Sequence, residues 1–246
     1  MEEITYSGIV LKQAEYGDAH RMLTILTKEA GIIKAVRYGI RGKKAANAAA
    51  FQTMCYARFK LQPGGGSIMT AKDAEVLDCF SPISEDIKKL ALMVYLGDIT
   101  YGILGSYNPD ERIAALYLNT VYAAAYRNEL PEKLKTVYEI KLMCAAGYMP
   151  QFNDCEVCGG KREFFNNDYG CFFCREHRKQ YDKRISEEEI SLMHHIAMLP
   201  DKKMLSFNIV NEKLYRSLGE ITEYYVSAHA GRDFSSLKYY RSVEDF

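Results

Sequence analysis

The sequence lacks the features that take a chain into or across a membrane. No stretch approaches about 18 uncharged apolar residues, the minimum for a membrane helix, so a membrane span is not expected. The acidic start Met1-Glu2-Glu3 has no apolar core of a secretion signal, so we expect a cytoplasmic protein. Hydrophobic residues make up 48% of the 246 residues and charged residues 26%, which is typical of a globular protein and argues against disorder.

Catalytic motifs are also missing. The segment Gly39 to Lys44 resembles a phosphate-binding loop but lacks its spacing and its hydroxyl. Gly64 to Gly66 is not followed by the third glycine of a dinucleotide-binding turn, because Met69 occupies that position. Neither H-E-x-x-H nor G-x-S-x-G occurs. With no nucleophile or acid–base pair in view, the sequence favours a binding protein over an enzyme.

Acidic residues are absent between Glu29 and Asp73, although the formal net charge of the chain is zero. The window contains eight cations, so its local charge is +8. Because an electric field depends on local charge density, this window predicts a contact surface for a polyanion. The alternative is a set of solvated cations on strand faces. The candidate contact residues are Lys34, Arg37, Arg41, Lys43, Lys44, Arg58 and Lys60.

The first 80 residues show the two-residue period of β-strands. Short alternating or apolar runs, among them Ile4 to Leu11, Met22 to Leu26 and Met54 to Leu61, are separated by turn sequences such as Tyr16-Gly17-Asp18. Five such strands predict a small closed barrel. A long connection at about 38–51 would carry Arg41, Lys43 and Lys44.

At Ser81-Pro82 the period changes to that of helices. The apolar run Leu90 to Leu104 is too short to span a bilayer and predicts a buried helix. Later helices are predicted to begin at Asn108-Pro109, at Leu130-Pro131, at the capping box of Ser186 and near residue 211, the last ending at Gly231. The expected fold is α+β, with a β domain at 1–80 and a helical domain at 81–246.

Four of the seven cysteines predict a zinc site. Cys155-x-x-Cys158 and Cys171-x-x-Cys174 are separated by twelve residues, the pattern of two knuckles around one tetrahedral ion. Four thiolates leave no open coordination position, so the zinc, one per chain, would be structural. Two alternatives stay open: thiol redox chemistry, and replacement of one cysteine by His177. We expect a metal-binding insertion at about 154–177, with a short hairpin between the two pairs.

Several segments together resemble the RecO family of bacterial recombination mediators. They are Gly8 to Lys12, Tyr16 to Asp18, Arg21 to Thr27, Gly31 to Arg41, Gly147 to Pro150 before Cys155-x-x-Cys158-Gly159, and His229-x-Gly231-Arg232 with Ser235 to Lys238. The resemblance covers essentially the whole chain. It implies an N-terminal five-stranded OB-fold barrel followed by an α-helical domain with a zinc-binding insertion.

The same resemblance implies a function in DNA repair and recombination, in the RecF pathway. Such a protein binds single- and double-stranded DNA, anneals strands and, with RecR, assists RecA loading on DNA coated by single-strand-binding protein. RecR, single-strand-binding protein and DNA are therefore the expected partners, in a cytoplasmic, nucleoid-associated location. Two other functions remain open on the residues: a scaffold that binds an acidic protein tail, and a zinc-dependent nucleic-acid enzyme.

Overall fold

The computed structural model of the protein begins with a closed barrel of five strands. It describes residues 3–39, 47–64, 66–105, 110–209 and 211–244. The barrel strands are β1 (Ile4–Tyr16), β2 (His20–Thr27), β3 (Gly31–Tyr38), β4 (Tyr56–Pro63) and β5 (Ile68–Asp78). The predicted five strands are therefore confirmed, and β1 and β2 extend beyond their predicted ends.

The strands close in the order β1-β2-β3-β5-β4, with β4 pairing back onto β1. All neighbours are antiparallel except β3 and β5, which pair in parallel. This is the five-stranded Greek-key barrel of the OB-fold. Alternation decides what faces inward: on β4, Ala57, Phe59 and Leu61 fill the barrel core, whereas Arg58 and Lys60 point outward. The predicted fold class, a barrel followed by helices, is confirmed.

The chain divides into two compact units, Met1–Arg127 with Ser236–Phe246, and Asn128–Ser235. The first contains the barrel with the helices α1 (Ser81–Ser84), α2 (Ile87–Leu104) and α3 (Glu111–Tyr126). Within it, the Tyr117 hydroxyl of α3 donates to the Met93 carbonyl of α2 at 3.0 Å and lies 3.4 Å from the Met54 sulfur. This buried contact joins α2 and α3 to the chain that leads into β4. A domain division at residue 80 stays a prediction.

The second unit is built around α4 (Pro131–Ala145), which is buried along most of its length, lysines included. Lys135 forms ion pairs with Glu139 at 3.0 Å and with Glu223 at 2.7 Å, and burial would destabilise its charge without them. The two carboxylates outweigh the burial and raise the pKa of Lys135. The other helices of this unit are α5 (Glu187–Met198) and α6 (Glu212–Ala230), and α7 (Ser235–Glu244) follows them in the chain.

Helix ends follow the predicted signals. Ser186 and Glu189 form a complete capping box at the start of α5, and Gly231 ends α6 in the left-handed conformation. At α3 the capping side chain is Asp110, which accepts hydrogen bonds from the Arg112 and Ile113 N–H groups. The predicted start at Asn108-Pro109 lies outside the described residues. Of the helices in the described ranges, none combines the length and the apolar character needed to cross a membrane.

The predicted insertion forms a small lobe with a three-stranded sheet of its own. Its strands are β6 (Phe164–Asn166), β7 (Cys171–Phe173) and β8 (Lys183–Arg184), in the order β7-β6-β8. The Phe165 ring contacts the rings of Phe172 and Tyr225, each at 5.2 Å between centroids, so the sheet packs on α6. The close packing also requires glycine at position 170, because an added Cβ would lie 2.5 Å from the Tyr225 hydroxyl oxygen. The hairpin predicted between the cysteine pairs is confirmed.

Candidate metal centre and nucleic-acid interface

The first cysteine pair, Cys155 and Cys158, lies in a tight turn that brings both sulfurs to the same side. The Gly159 N–H donates to the Cys155 carbonyl at 2.8 Å, and the Gly160 N–H lies 3.4 Å from the Cys158 sulfur. Gly159 has a positive φ of 66°, which glycine adopts without strain. Residues 155–160 therefore form a knuckle in which the backbone approaches the thiolates, as metal knuckles require.

A second turn begins at Cys174 and ends at His177. The His177 N–H donates to the Cys174 carbonyl at 3.2 Å, so the two side chains come to the same side of the turn. The Cys174 sulfur lies 3.3 Å from the His177 Nδ1 atom. The second knuckle is therefore Cys-x-x-His.

The two knuckles bring four ligand atoms together. Those of Cys155, Cys158, Cys174 and His177 all lie within 4.8 Å of one another. The Cys158 and Cys174 sulfurs are 3.8 Å apart, and the Cys155 sulfur is 3.7 Å from His177 Nδ1. A tetrahedral site with Zn–S of about 2.3 Å and Zn–N of about 2.0–2.1 Å has edges of about 3.5–3.8 Å. The group could hold a tetrahedral metal ion, and its donor set is one that structural zinc sites use.

Cys171, the fourth predicted ligand, is not part of this group. It lies in β7 and is buried against Cys155 and Phe173. Cys174, just beyond the end of β7, packs against this cluster, but the sulfur of Cys171 is not among the ligand atoms that lie within 4.8 Å of one another. The structure thus brings together three of the four predicted ligands with His177. The spacing Cys174-x-x-His177, equal to that of the first pair, was the signal for it in the sequence.

The pKa values of two buried thiols in the lobe, Cys155 and Cys171, shift in opposite directions. Burial alone would raise the pKa of Cys155, but hydrogen bonds from the backbone N–H groups of Cys174, Cys158 and Val157 lower it to about 6. Burial raises the pKa of Cys171. The hydrogen bond from the Gly160 N–H lowers the pKa of Cys158, but burial and the neighbouring Cys155 and Cys174 outweigh it, so this pKa is raised as well. Of these three thiols, Cys155 is therefore the one most readily deprotonated.

Two cations of the acid-free window have acidic partners on the neighbouring strand. Arg58 on β4 lies opposite Glu75 on β5, and their charged atoms are 2.7 Å apart. Lys60 lies opposite Asp73 at 3.9 Å. The two acids come just after the window in the sequence, and the β4–β5 hairpin folds them back onto it. Much of the positive charge predicted for this face is thereby neutralised.

Arg37 is held at the end of the barrel core. It shares the inward register of Ala35, its guanidinium lies 4.7 Å from the Phe51 ring centroid, and it donates to the Ala71 and Lys72 carbonyls. Lys34 is half-buried on the other side of β3, with its Nζ atom 5.9 Å from the Tyr101 ring. Predicted residues Arg41, Lys43 and Lys44 lie outside the described residues.

Three aromatic side chains form a row across the ends of β1, β2 and β3. Tyr16 pairs with His20, and His20 pairs with Tyr38. The His20 and Tyr38 rings meet edge to face at 4.7 Å, while Tyr16 is 45% and Tyr38 50% exposed. Strand register, which the sequence alone did not give, creates this row. We call Tyr16, His20 and Tyr38 the aromatic row.

Comparison with known proteins gives matches over the whole chain. The family model described as "Recombination protein O N terminal" matches residues 1–80, and "Recombination protein O C terminal" matches residues 84–238. The DNA repair protein RecO of Acetivibrio thermocellus is 27% identical over 99% of this chain and 98% of its own length. That of Alkaliphilus metalliredigens is 26% identical over 98% and 99%. That of Oceanobacillus iheyensis is 31% identical over 63% of this chain and 59% of its own length.

Proposed function

Because the chain belongs to the RecO family of DNA repair proteins, we propose that it is a non-enzymatic DNA-binding recombination mediator. It would anneal complementary strands and, with RecR, assist RecA loading on DNA coated by single-strand-binding protein. The observation that carries the DNA-binding part is the aromatic row at one end of an OB-fold barrel. Exposed rings at neighbouring strand ends offer successive stacking positions for unpaired bases.

To choose the phosphate-binding cations, we set aside those that already have partners within the barrel. Arg58 and Lys60 face carboxylates, and Arg37 donates to backbone carbonyls, so these three contribute less than their number suggests. In the sequence, Arg41, Lys43 and Lys44 lie two to five residues beyond Gly39. We place the main phosphate-binding positions of the barrel on these three, with Lys34 and the exposed Lys72 as further candidates. Binding to phosphates gives affinity without sequence preference.

The metal is proposed to be one structural zinc per chain, held by Cys155, Cys158, Cys174 and His177. Three thiolates and one imidazole complete a tetrahedron, so no position is left for a catalytic water. The zinc would fix the lobe and take no part in chemistry. This ligand set replaces Cys171, which the cysteine spacing predicts, by His177.

A salt-titrated binding assay tests the function. Wild-type protein should bind single-stranded DNA of unrelated sequences with similar affinity, and RecR should alter that binding. Replacing Arg41, Lys43 and Lys44 with Gln should flatten the plot of log affinity against log salt by about 0.7 for each phosphate-binding cation removed, or about 2 in total. Replacing Tyr38 with Ala should weaken binding about fivefold or more, since stacking contributes about 1–3 kcal/mol per base, whereas Tyr38→Phe should keep it.

The matched control is Arg58→Gln with Lys60→Gln, which removes cations that already face acids. A change in slope for this control equal to that of the triple variant would move the DNA site to the β4–β5 face. Absence of DNA binding, together with salt-sensitive binding of polyglutamate, would favour the acidic-tail scaffold. Metal-dependent cleavage of DNA would favour the zinc enzyme.

A further inference from the structure

The lobe has a charged surface that the proposed function does not use. We call it the lobe face and define it by Arg175, Arg178, Lys179, Tyr181 and Lys183. Arg184, the next residue of β8, lies on the opposite face of the sheet and is not part of it. Of the four cations of the lobe face, none forms an ion pair with a carboxylate in the part of the chain that the structure describes. Residues 175–184 contain five cations and two acids, Glu176 and Asp182, so the segment has a net charge of +3.

One of these two acids is used inside the lobe. The Asp182 carboxylate accepts hydrogen bonds from the Asn166 side-chain amide at 2.6 Å and from the Lys179 N–H at 2.7 Å. It therefore fixes the turn that presents the cations and is not directed at any of them. The positive charge of the lobe face is available to a ligand in solution.

Exposed aromatic rings lie beside two of the cations on this surface. Tyr181 is 80% exposed, which is more than any other large hydrophobic side chain among the described residues. The Lys179 Nζ atom lies 4.2 Å from the Tyr169 ring centroid, and the Lys183 Nζ atom lies 3.8 Å from that of Tyr224. These contacts hold the ammonium groups beside rings that are themselves 64% and 53% exposed. Fully solvated rings are unfavourable in water, and stacking on a ligand would cover them.

A groove of about 630 Å³ adjoins the lobe face, lined in part by Tyr181, Lys183 and Tyr224. Asn167 lines it too, and its side-chain oxygen is buried without a hydrogen-bond partner. An orphaned amide oxygen is unfavourable unless a donor reaches it, and a base edge carries such donors. Three acids, Asp168, Asp182 and Asp233, also line the groove, so a compact polyphosphate would be repelled there.

We propose that the lobe face is a second binding surface for single-stranded DNA. Its cations pair with phosphates, and Tyr181 stacks on a base. Unpaired bases offer π-faces to the exposed rings, which an acidic peptide does not, and this favours DNA over a protein tail. The proposal rests on the proposed function, because it adds a surface to a protein that binds DNA. The metal centre would act by fixing the turn at His177, from which Arg178 and Lys179 project.

Charge removal and ring removal test the surface in the full-length, zinc-loaded protein. The charge variant is Arg175→Gln, Lys179→Gln and Lys183→Gln. Its control is Lys202→Gln, Lys203→Gln and Lys213→Gln, which removes three exposed cations of the same compact unit. With single-stranded oligonucleotides, we expect the slope of log affinity against log salt to fall by about 2 in the charge variant and to stay near wild type in the control.

Tyr181→Ala should weaken single-strand binding about fivefold or more, and Tyr181→Phe should retain it. Photocrosslinking of wild-type protein to a bromouracil oligonucleotide, followed by mass spectrometry, should place the crosslink in residues 175–184. This measurement does not depend on any variant folding. Zinc content and melting temperature of each variant check that the lobe is intact.

Equal slopes for the charge variant and its control would overturn the second surface, and so would crosslinks confined to the barrel. The proposed function would survive both results, since the barrel variants report on it separately. A charge variant that no longer binds polyglutamate but still binds DNA normally would also overturn the proposal and identify the face as a protein site. Failure of wild-type protein to bind DNA at low salt would overturn both proposals together.

Discussion

The barrel and the lobe both carry clusters of cations, but the cations of the two clusters have different neighbours. On the barrel, Arg58 and Lys60 face Glu75 and Asp73 across a strand pair. On the lobe, Lys179 lies beside aromatic rings, and its ammonium group has no carboxylate partner among the described residues. The sequence predicts the polyanion contact on the barrel, because the window without acidic residues lies there. The difference shows that pairing between strands decides how much of a charge cluster remains available to a ligand.

The proposed metal ligands give the largest expected effect. Cys158 is exposed, so Cys158→Ser removes little packing, yet it should release the zinc and lower the melting temperature of the unit that contains the lobe. Metal binding to such small sites contributes about 10–16 kcal/mol in isolated peptides, so even a fraction of it is a large loss. His177→Ala should behave likewise. Elemental analysis and thermal melting measure both effects.

Cys171→Ala is the matched control for the metal centre. It should keep one zinc per chain and reduce only packing, by about 1–3 kcal/mol of unfolding free energy. Loss of zinc from this variant, with retention in His177→Ala, would restore the four-cysteine site. The two variants together tell whether His177 or Cys171 is the fourth ligand, and therefore whether the metal holds the turn at His177.

Arg37 gives an intermediate effect, on stability and not on DNA. Arg37→Met should lower the unfolding free energy by about 1–3 kcal/mol, because it removes the donor that the Ala71 and Lys72 carbonyls share. Urea denaturation measures the change. A folded, fully stable Arg37→Met protein with weakened DNA binding would show that this cation belongs to the DNA surface after all.

The paired cations give the smallest effect on stability. Arg58→Gln should change the unfolding free energy by less than about 1 kcal/mol, since the pair with Glu75 is solvent-exposed. Glu75→Gln is the more informative variant, because it leaves Arg58 free on the outer face. If the pair with Glu75 keeps Arg58 from binding phosphate, Glu75→Gln should raise the salt slope of DNA binding by about 0.7. An unchanged slope would place the β4–β5 face away from DNA.

Much of the fold was predictable because local patterns and tertiary structure agree. The alternation of Ala57, Phe59 and Leu61 with Arg58 and Lys60 marks an inner and an outer face in any register. The capping box at Ser186 and the glycine at 231 mark helix ends by local hydrogen bonding alone. Features of this kind need no knowledge of distant residues.

The parts that sequence could not give depend on pairing. The partners of Arg58 and Lys60 follow from the β4–β5 register, and the aromatic row follows from the registers of three strands. The choice between Cys171 and His177 depends on where a strand ends and a turn begins, which one residue decides. The buried Lys133 and Lys135 of α4 each have a carboxylate four residues away, but their other partners come from distant segments, and no local pattern identifies these.

The buried lysines of α4 have a consequence for enzymatic digestion. Trypsin must take a lysine side chain into its own pocket, but Lys133, Lys135 and Lys141 are engaged inside the unit by carbonyls and carboxylates. Local fraying cannot release them, because each also has a partner in a distant segment of the chain, namely Phe207, Glu223 and Asp201 in that order. Cutting within α4 therefore requires the opening of the whole unit. At a trypsin concentration high enough for cleavage to outpace reclosing, the rate at which α4 peptides are released equals the rate of that opening, and its measurement needs no label.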